Sequence, residues 1–193
     1  TTYIIKRVFK ILYKFIAILL LIFVILLLVL AIPSVQTGLG NYATKKINQR
    51  YNTNINIDKV ALRFNGDISL KDVYIEDFKQ DTLLFAKDIR ASIVNFKNLY
   101  NGKLNFGDIA IDALKFNITT YRDETDTNLD VFVAKFDDGL PKTEPSNFLF
   151  SSSDISIVNG HFKMTNYNKE VPEILDLSKL FINATNFLIN GPD

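Results

Sequence analysis

Few residues in this chain are of a type and spacing that could do chemistry. Gly38-Leu39-Gly40-Asn41-Tyr42-Ala43 fits the G-x-G-x-x-A spacing, in which glycines let a turn close around a pyrophosphate, and Asp58 follows near the distance of a ribose-binding acid. That chemistry needs a strand before the glycines and a βαβ unit around them. A long apolar run precedes them instead, so no dinucleotide site is assigned. His161 is the only histidine, and with no Cys and no second His it lacks the partners of a metal centre. Asp123, Glu124, Asp126 and Asp130 are calcium ligands in type, but their spacing and the missing glycine fail the EF-hand pattern, and they read as a solvated loop. G-x-S-x-G, P-loop and H-E-x-x-H patterns are absent. The expectation is a non-enzyme with no catalytic residue, metal or cofactor.

Composition narrows the partners. Residues 1–57 hold seven of the 22 Lys and Arg and no acid, leaving 15 basic residues against 21 acidic ones in the remainder. A mildly acidic outer part argues against nucleic acid. The absence of Cys rules out a disulfide framework, so compartment has to come from topology.

The elements that would position any site begin with Phe15 to Ile32, an unbroken apolar run. As a helix it is about 27 Å long, and about 33 Å from Ile11, close to the hydrocarbon thickness of a bilayer. A transmembrane helix over 11–32 is expected, after a basic N-terminus over 1–10. Lys6, Arg7, Lys10 and Lys14 flank its start and the next basic residue is Lys45, so the positive-inside rule places the N-terminus in the cytoplasm and the bulk across the membrane. A cleaved signal peptide is the alternative; the run exceeds the usual h-region and no clear cleavage site comes after it. Pro33 should end the helix and Gly38-Leu39-Gly40 should make a flexible exit. Within a linker region over 33–53, Leu39, Tyr42, Ala43, Ile47 and Tyr51 then predict a short amphipathic helix that plugs one end of the β-structure or lies on headgroups, the first being preferred.

From Asn54 the period becomes two. Ile55 and Ile57, then Val60, Leu62 and Phe64, then Ile68 and Leu70 alternate with polar residues and predict strands, with a turn at Phe64-Asn65-Gly66-Asp67. The alternation slips by one at Lys71-Asp72 and resumes at Val73 and Ile75, as a bulge would make it. Further strands are expected at Ile89 to Ile93, Ile109 to Ile118, Ile155 to Ile157, Phe162 to Thr165 and Phe181 to Ile189. A turn is expected at 98–103, and loops at Asp123 to Asp130 and Asp137 to Ser153. No helix is expected after residue 51.

The chain also repeats. A shift of 46 residues lays Asp108-Ile109-Ala110-Ile111 on Asp154-Ile155-Ser156-Ile157, Phe116 on Phe162, Ile118 on Met164, Thr119 on Thr165 and Tyr121 on Tyr167. A looser copy starts at Asp67-Ile68-Ser69-Leu70, 41 residues before Asp108. A recurring strand unit builds a sheet that extends along one axis. The residues after 51 offer no amphipathic helix to cover its apolar face, so the sheet either folds into a sandwich or keeps that face for something apolar, such as lipid.

In the order of these features the chain resembles the N-terminal part of the AsmA-like family, and within it the TamB-type translocation and assembly proteins of bacterial envelopes. The likeness runs from the basic anchor through Ile57-Asp58-Lys59-Val60, Gly66-Asp67-Ile68-Ser69-Leu70-Lys71-Asp72-Val73, Asp81-Thr82-Leu83-Leu84-Phe85-Ala86 and Asn98-Leu99-Tyr100-Asn101-Gly102 to Asn128-Leu129, most of residues 3–130. The resemblance implies a mainly β fold over 54–193, an elongated, taco-like repeating β-groove in the periplasm that is part of a longer one. It implies phospholipid passage between inner and outer membranes, support of outer-membrane protein assembly, and an Omp85-type barrel partner reached through a C-terminal region beyond this sequence. Groove-lining residues would then be Leu62, Phe64, Ile68, Leu70, Ile109, Ile111, Phe116, Ile118, Ile155, Ile157, Phe162 and Met164. The competing expectation is a membrane-tethered β-sandwich that serves as a binding or scaffold subunit, with the same residues in a closed core.

Overall fold

A computed structural model describes residues 2–63, 65–94, 103–136 and 149–190. Helix α1 (Thr2–Leu30) is apolar throughout its second half, and none of the stretch Tyr13–Leu30 is buried against protein. It is long and apolar enough to be a single membrane span or a signal sequence. Two residues, Ala31 and the extended Ile32, separate it from α2 (Pro33–Tyr51). The sequence expectation is corrected here in two ways. Pro33 opens the second helix, because proline's fixed φ and missing N–H suit the first turn. Gly38 and Gly40 lie inside that helix and do not form a flexible exit. Gly40 is there for space: a Cβ would stand 2.5 Å from Cγ2 of Val60.

The strands are β1 (Asn54–Leu62), β2 (Asp67–Glu76), β3 (Thr82–Ile93), β4 (Lys103–Asp112), β5 (Lys115–Thr120), β6 (Leu149–Asn166) and β7 (Glu173–Asn190). They form one sheet. Strands β1 to β4 pair antiparallel in chain order, β4 and β5 follow end to end beside β3, β6 runs parallel to both, and β7 is antiparallel to β6. The sheet is therefore six ribbons wide. The 46-residue offset in the sequence is the register of its parallel ladder, which pairs Asp108 with Asp154, Ile111 with Ile157 and Phe116 with Phe162.

A line of irregularities crosses the ribbons at one level. On β1 the apolar positions Val60 and Ile57 are three apart instead of two, as are Leu70 and Val73, Ala86 and Ile89, Ile111 and Leu114, Ile157 and Gly160, and Leu177 and Leu180. In four ribbons a residue at that level takes a left-handed φ: Asp72 (50°), Ala113 (52°), Asn159 (55°) and Lys179 (55°). Each inserted residue turns the strand by one position and returns the apolar side chains to their original face. The expected slip at Asp72 is thus one of a set, and Asp72, Ala113 and Asn159 are spaced by the same 41 and 46 residues as the repeat.

Two further expectations are corrected. A short helix, α3 (Asn128–Ala134), lies beyond residue 51 after all. Its start is fixed by a capping box: the Thr127 hydroxyl accepts from Asp130 N–H and the Asp130 carboxylate accepts from Thr127 N–H. Ser151, Ser152 and Ser153, expected in a loop, belong to β6, where Ser152 donates to the Gly107 carbonyl at 2.6 Å. Phe64 and the turn around 98–102 lie outside the described residues, as does most of the loop expected at 137–153.

Candidate functional site

Paired residues on neighbouring strands share a face, so the registers trace what each face carries. One row runs Leu62, Ile68, Ala91, Ile109, Ile155, Ala184 from edge to edge; the next runs Val60, Leu70, Ile89, Ile111, Ile157, Ile182. Beyond the line of irregularities come Ile55, Ile75, Leu84, Phe116, Phe162, Leu177, and then Ile118, Met164, Leu175. The opposite face carries Ala61, Ser69, Arg90, Ala110, Ser156, Asn183, and lower down Asn56, Tyr74, Phe85, Lys115, His161. One face is apolar across all six ribbons and the other is largely polar.

All the described strands belong to one sheet, so no second sheet of described residues faces the apolar side; the segment from α3 to Phe136 crosses one end of the sheet, from Asn128 beside β5 to Phe136, which packs on Tyr51 at 4.8 Å. Among the described residues the buried apolar side chains number five: Val73, Leu83, Ala86, Ala91 and Ile109. Leu62, Met164, Leu175, Leu177 and Ile182 are exposed, and Ile111, Phe116, Ile155, Ile157 and Phe162 are half-buried. Phe116 and Phe162 pack at 6.0 Å between ring centroids. Around them Leu114, Ile157, Gly160, Leu177, Leu180 and Ile182 line an open depression of about 350 Å³ with no polar wall. Such a surface accepts hydrocarbon and offers no directional contact.

Of the residues expected to line a groove, the eleven that are described all fall on this face; Phe64 lies outside the description. Ile55, Val60, Val73, Leu84, Ile89, Leu177 and Ile182 share it and are absent from that expectation. The register slip at mid-strand separates Ile55, Val73, Leu84 and Leu177 from the rows above it, since a strict period of two puts half of each ribbon on the wrong side; Val60, Ile89 and Ile182 lie in the same row as the expected Leu70, Ile111 and Ile157. At the start of α1, Lys6, Arg7 and Lys10 fall in its first turns, and Lys14 is exposed.

Two of the polar candidates, His161 and Asp130, make local contacts. His161 Nε2 stands 2.7 Å from Asp176 Oδ1 across β6 and β7, a half-exposed cross-strand pair. Asp130 caps α3, which holds its carboxyl below the ordinary range through the Thr127 hydroxyl and then the Thr127 N–H. A buried hub has no counterpart among the sequence expectations. Asp77, in the β2–β3 turn, accepts from Lys79 and Asp81 N–H on Oδ1, and from the Tyr121 hydroxyl (2.7 Å) and Asn128 Nδ2 (2.9 Å) on Oδ2. Burial first, then the hydrogen bonds to Asp77 and Asp81, push the Tyr121 phenol far above its ordinary value. The hub pins the turn to β5 and α3 at one end of the sheet. The pattern Thr127-x-x-Asp130, an N-cap signature, is the one clue to it in the sequence.

Helix α2 has an unusual task. Its side chains close the β1 edge: Gln36 donates to the Leu62 carbonyl and accepts from Leu62 N–H (both 2.8 Å), Thr37 does the same with Val60 (both 3.2 Å), and Asn48 with Ile55 (2.8 and 2.9 Å). These amides and the hydroxyl replace a neighbouring strand, which removes one free edge. Gln36 also donates to the Leu30 carbonyl at 2.9 Å and so ties the end of α1 to the sheet.

Comparison with protein-family models, curated proteins and solved structures finds no match.

Proposed function

We propose that this chain is an inner-membrane protein of AsmA-like, TamB type, whose apolar sheet face carries phospholipid acyl chains across the periplasm towards the outer membrane. In this reading α1 is retained as the anchor with its N-terminus in the cytoplasm, and the sheet is a portion of an elongated groove. A role beside outer-membrane protein assembly, with an Omp85-type barrel as partner, belongs to the same proposal and rests on the family resemblance.

The observation that carries it is the set of apolar rows running from Leu62 to Ala184 and from Val60 to Ile182 with no second sheet of described residues facing them. Exposing each CH₂ of an acyl chain to water costs about 0.8 kcal/mol, so a chain of roughly sixteen carbons crosses an aqueous gap at a cost of about 12 kcal/mol. A continuous apolar surface removes most of that cost and leaves the headgroup in water at its margin. The alternating rows provide such a surface without a single charged side chain among them.

The test is photo-crosslinking in cells. A photoreactive residue in place of Ile157 should capture phospholipid, and adding Ile111→Asp, its neighbour in the same row, should abolish capture while the circular dichroism of the purified chain is unchanged. Loss of fold in the Ile111→Asp variant, together with no lipid captured by the parent, would point to a tethered scaffold.

A further inference from the structure

Amphipathic helices on soluble domains turn apolar residues inward; α2 does the opposite. Between Val35 and Tyr51, which are also half-buried, its half-buried residues Gln36, Thr37, Gly40, Thr44 and Asn48 form the stripe against β1, and all five are polar or glycine. At 100° per residue, Leu39, Tyr42, Ala43, Lys46, Ile47 and Arg50 fall together on the adjoining flank. Leu39 is 55% exposed and Tyr42 63%, with Ile47 also exposed. The Lys46 ammonium lies over the Tyr42 ring and the Arg50 guanidinium over the Tyr51 ring, so each cation is held against an aromatic face. The strand edge has taken the helix's polar side, and its apolar and basic side is left over.

We infer that this flank is seated in the headgroup layer of the membrane that α1 crosses, on an anionic phospholipid surface. It rests on α1 being a span. Three observations select this occupant. Only two residues, Ala31 and Ile32, separate the helix from α1, so it emerges at the bilayer surface, and the extended backbone of Ile32 keeps it from continuing α1's axis. Leu, Ile and Tyr bordered by Lys and Arg is the composition of a helix lying in an interface, with tyrosine at headgroup level. The charge is unopposed: Lys45, Lys46 and Arg50 meet no acid anywhere before Asp58. Since α2 also carries β1 on its side-chain amides, seating it holds the β1 edge within about one helix diameter, 10–12 Å, of the headgroups. The ends of the apolar rows at Leu62, Val60, Ile57 and Ile55 are thereby brought to the lipid surface.

The chain has no cysteine, so single spin labels are direct. The full chain is reconstituted in phosphatidylethanolamine–phosphatidylglycerol vesicles with Leu39→Cys, Ile47→Cys, Asn41→Cys or Ile22→Cys labelled, and collision with oxygen is compared with collision with a water-soluble nickel chelate. Leu39→Cys and Ile47→Cys should favour oxygen several-fold over Asn41→Cys, with Ile22→Cys deepest. Lys45→Glu, Lys46→Glu and Arg50→Glu together should raise nickel access at Leu39→Cys several-fold; no change would overturn the anionic surface as occupant. Nickel access at Leu39→Cys equal to that at Asn41→Cys, with Ile22→Cys still in lipid, would overturn the seating and leave the anchor standing. Nickel access at Ile22→Cys would remove the anchor and the inference with it. Spin–spin broadening at Leu39→Cys would identify a second copy as the occupant and overturn it equally.

Discussion

Asn128 is 1% exposed and is the first residue of α3. Its Nδ2 donates to Asp77 Oδ2 at 2.9 Å and to the Asn117 carbonyl at 3.2 Å, and its Oδ1 accepts from Thr119 N–H at 2.8 Å. Asn128→Ala removes all three. One ends on a carboxylate, worth about 1.5–3 kcal/mol, and two are neutral, worth about 0.5–1.5 kcal/mol each, so a loss of about 2.5–6 kcal/mol is expected. Asn128→Asp keeps the shape but replaces the donor with a second carboxylate facing Asp77. The new carboxyl's pKa is raised by that neighbour in the folded state, so the variant is least stable at neutral pH. It regains stability as pH falls towards about 4, the ordinary carboxylate range, where protonation restores a donor. Urea unfolding of the full chain in detergent, followed by circular dichroism, measures both. A loss below about 1 kcal/mol for Asn128→Ala, or an Asn128→Asp variant without acid recovery, would refute the hub as the fastener of this end of the sheet.

Two other consequences are open to the same assay. The Tyr121 phenol is raised by burial and by Asp77 and Asp81, so its contribution is present below pH about 10, the unfolded value, and is lost as pH climbs above it; Tyr121→Phe should remove that alkaline decline. Gly40→Ala drives a Cβ to 2.5 Å from Val60 and should cost about 1–3 kcal/mol, whereas Gly38→Ala, with nothing within 4 Å, should add up to about 1 kcal/mol through helix propensity. Equal effects at the two glycines would contradict the close seating of α2 on β1.

Much of the architecture is legible in the residues. The apolar run of α1, the alternation from Ile55 onward, the slip at Asp72 and the 46-residue offset each correspond to a described feature, because each is a local pattern that the backbone period reads directly. The extents of β6 and β7 are less so. Asn159, Lys179 and Asn186 interrupt the alternation with left-handed residues, so each long ribbon reads as fragments. Helix α3 is seven residues long with acidic surroundings, and its only sequence mark is the Thr127–Asp130 cap. Helix α2 misleads for a physical reason: apolar periodicity locates a helix but assumes that its apolar side faces protein. Here the partner is a strand edge, whose bare N–H and C=O groups call for Gln, Thr and Asn. The Asp77 hub joins residues up to 51 positions apart and leaves no periodic trace.

The central claim is that hydrocarbon, not protein, covers the apolar face. It is tested most directly by comparing two neighbouring photoreactive positions on β6, Ile157 on the apolar face and Ser156 on the polar one, in the full chain in its native membrane. Phospholipid adducts at Ile157 and none at Ser156 are the predicted result. Protein adducts alone at Ile157, or equal lipid labelling at both positions, would contradict it.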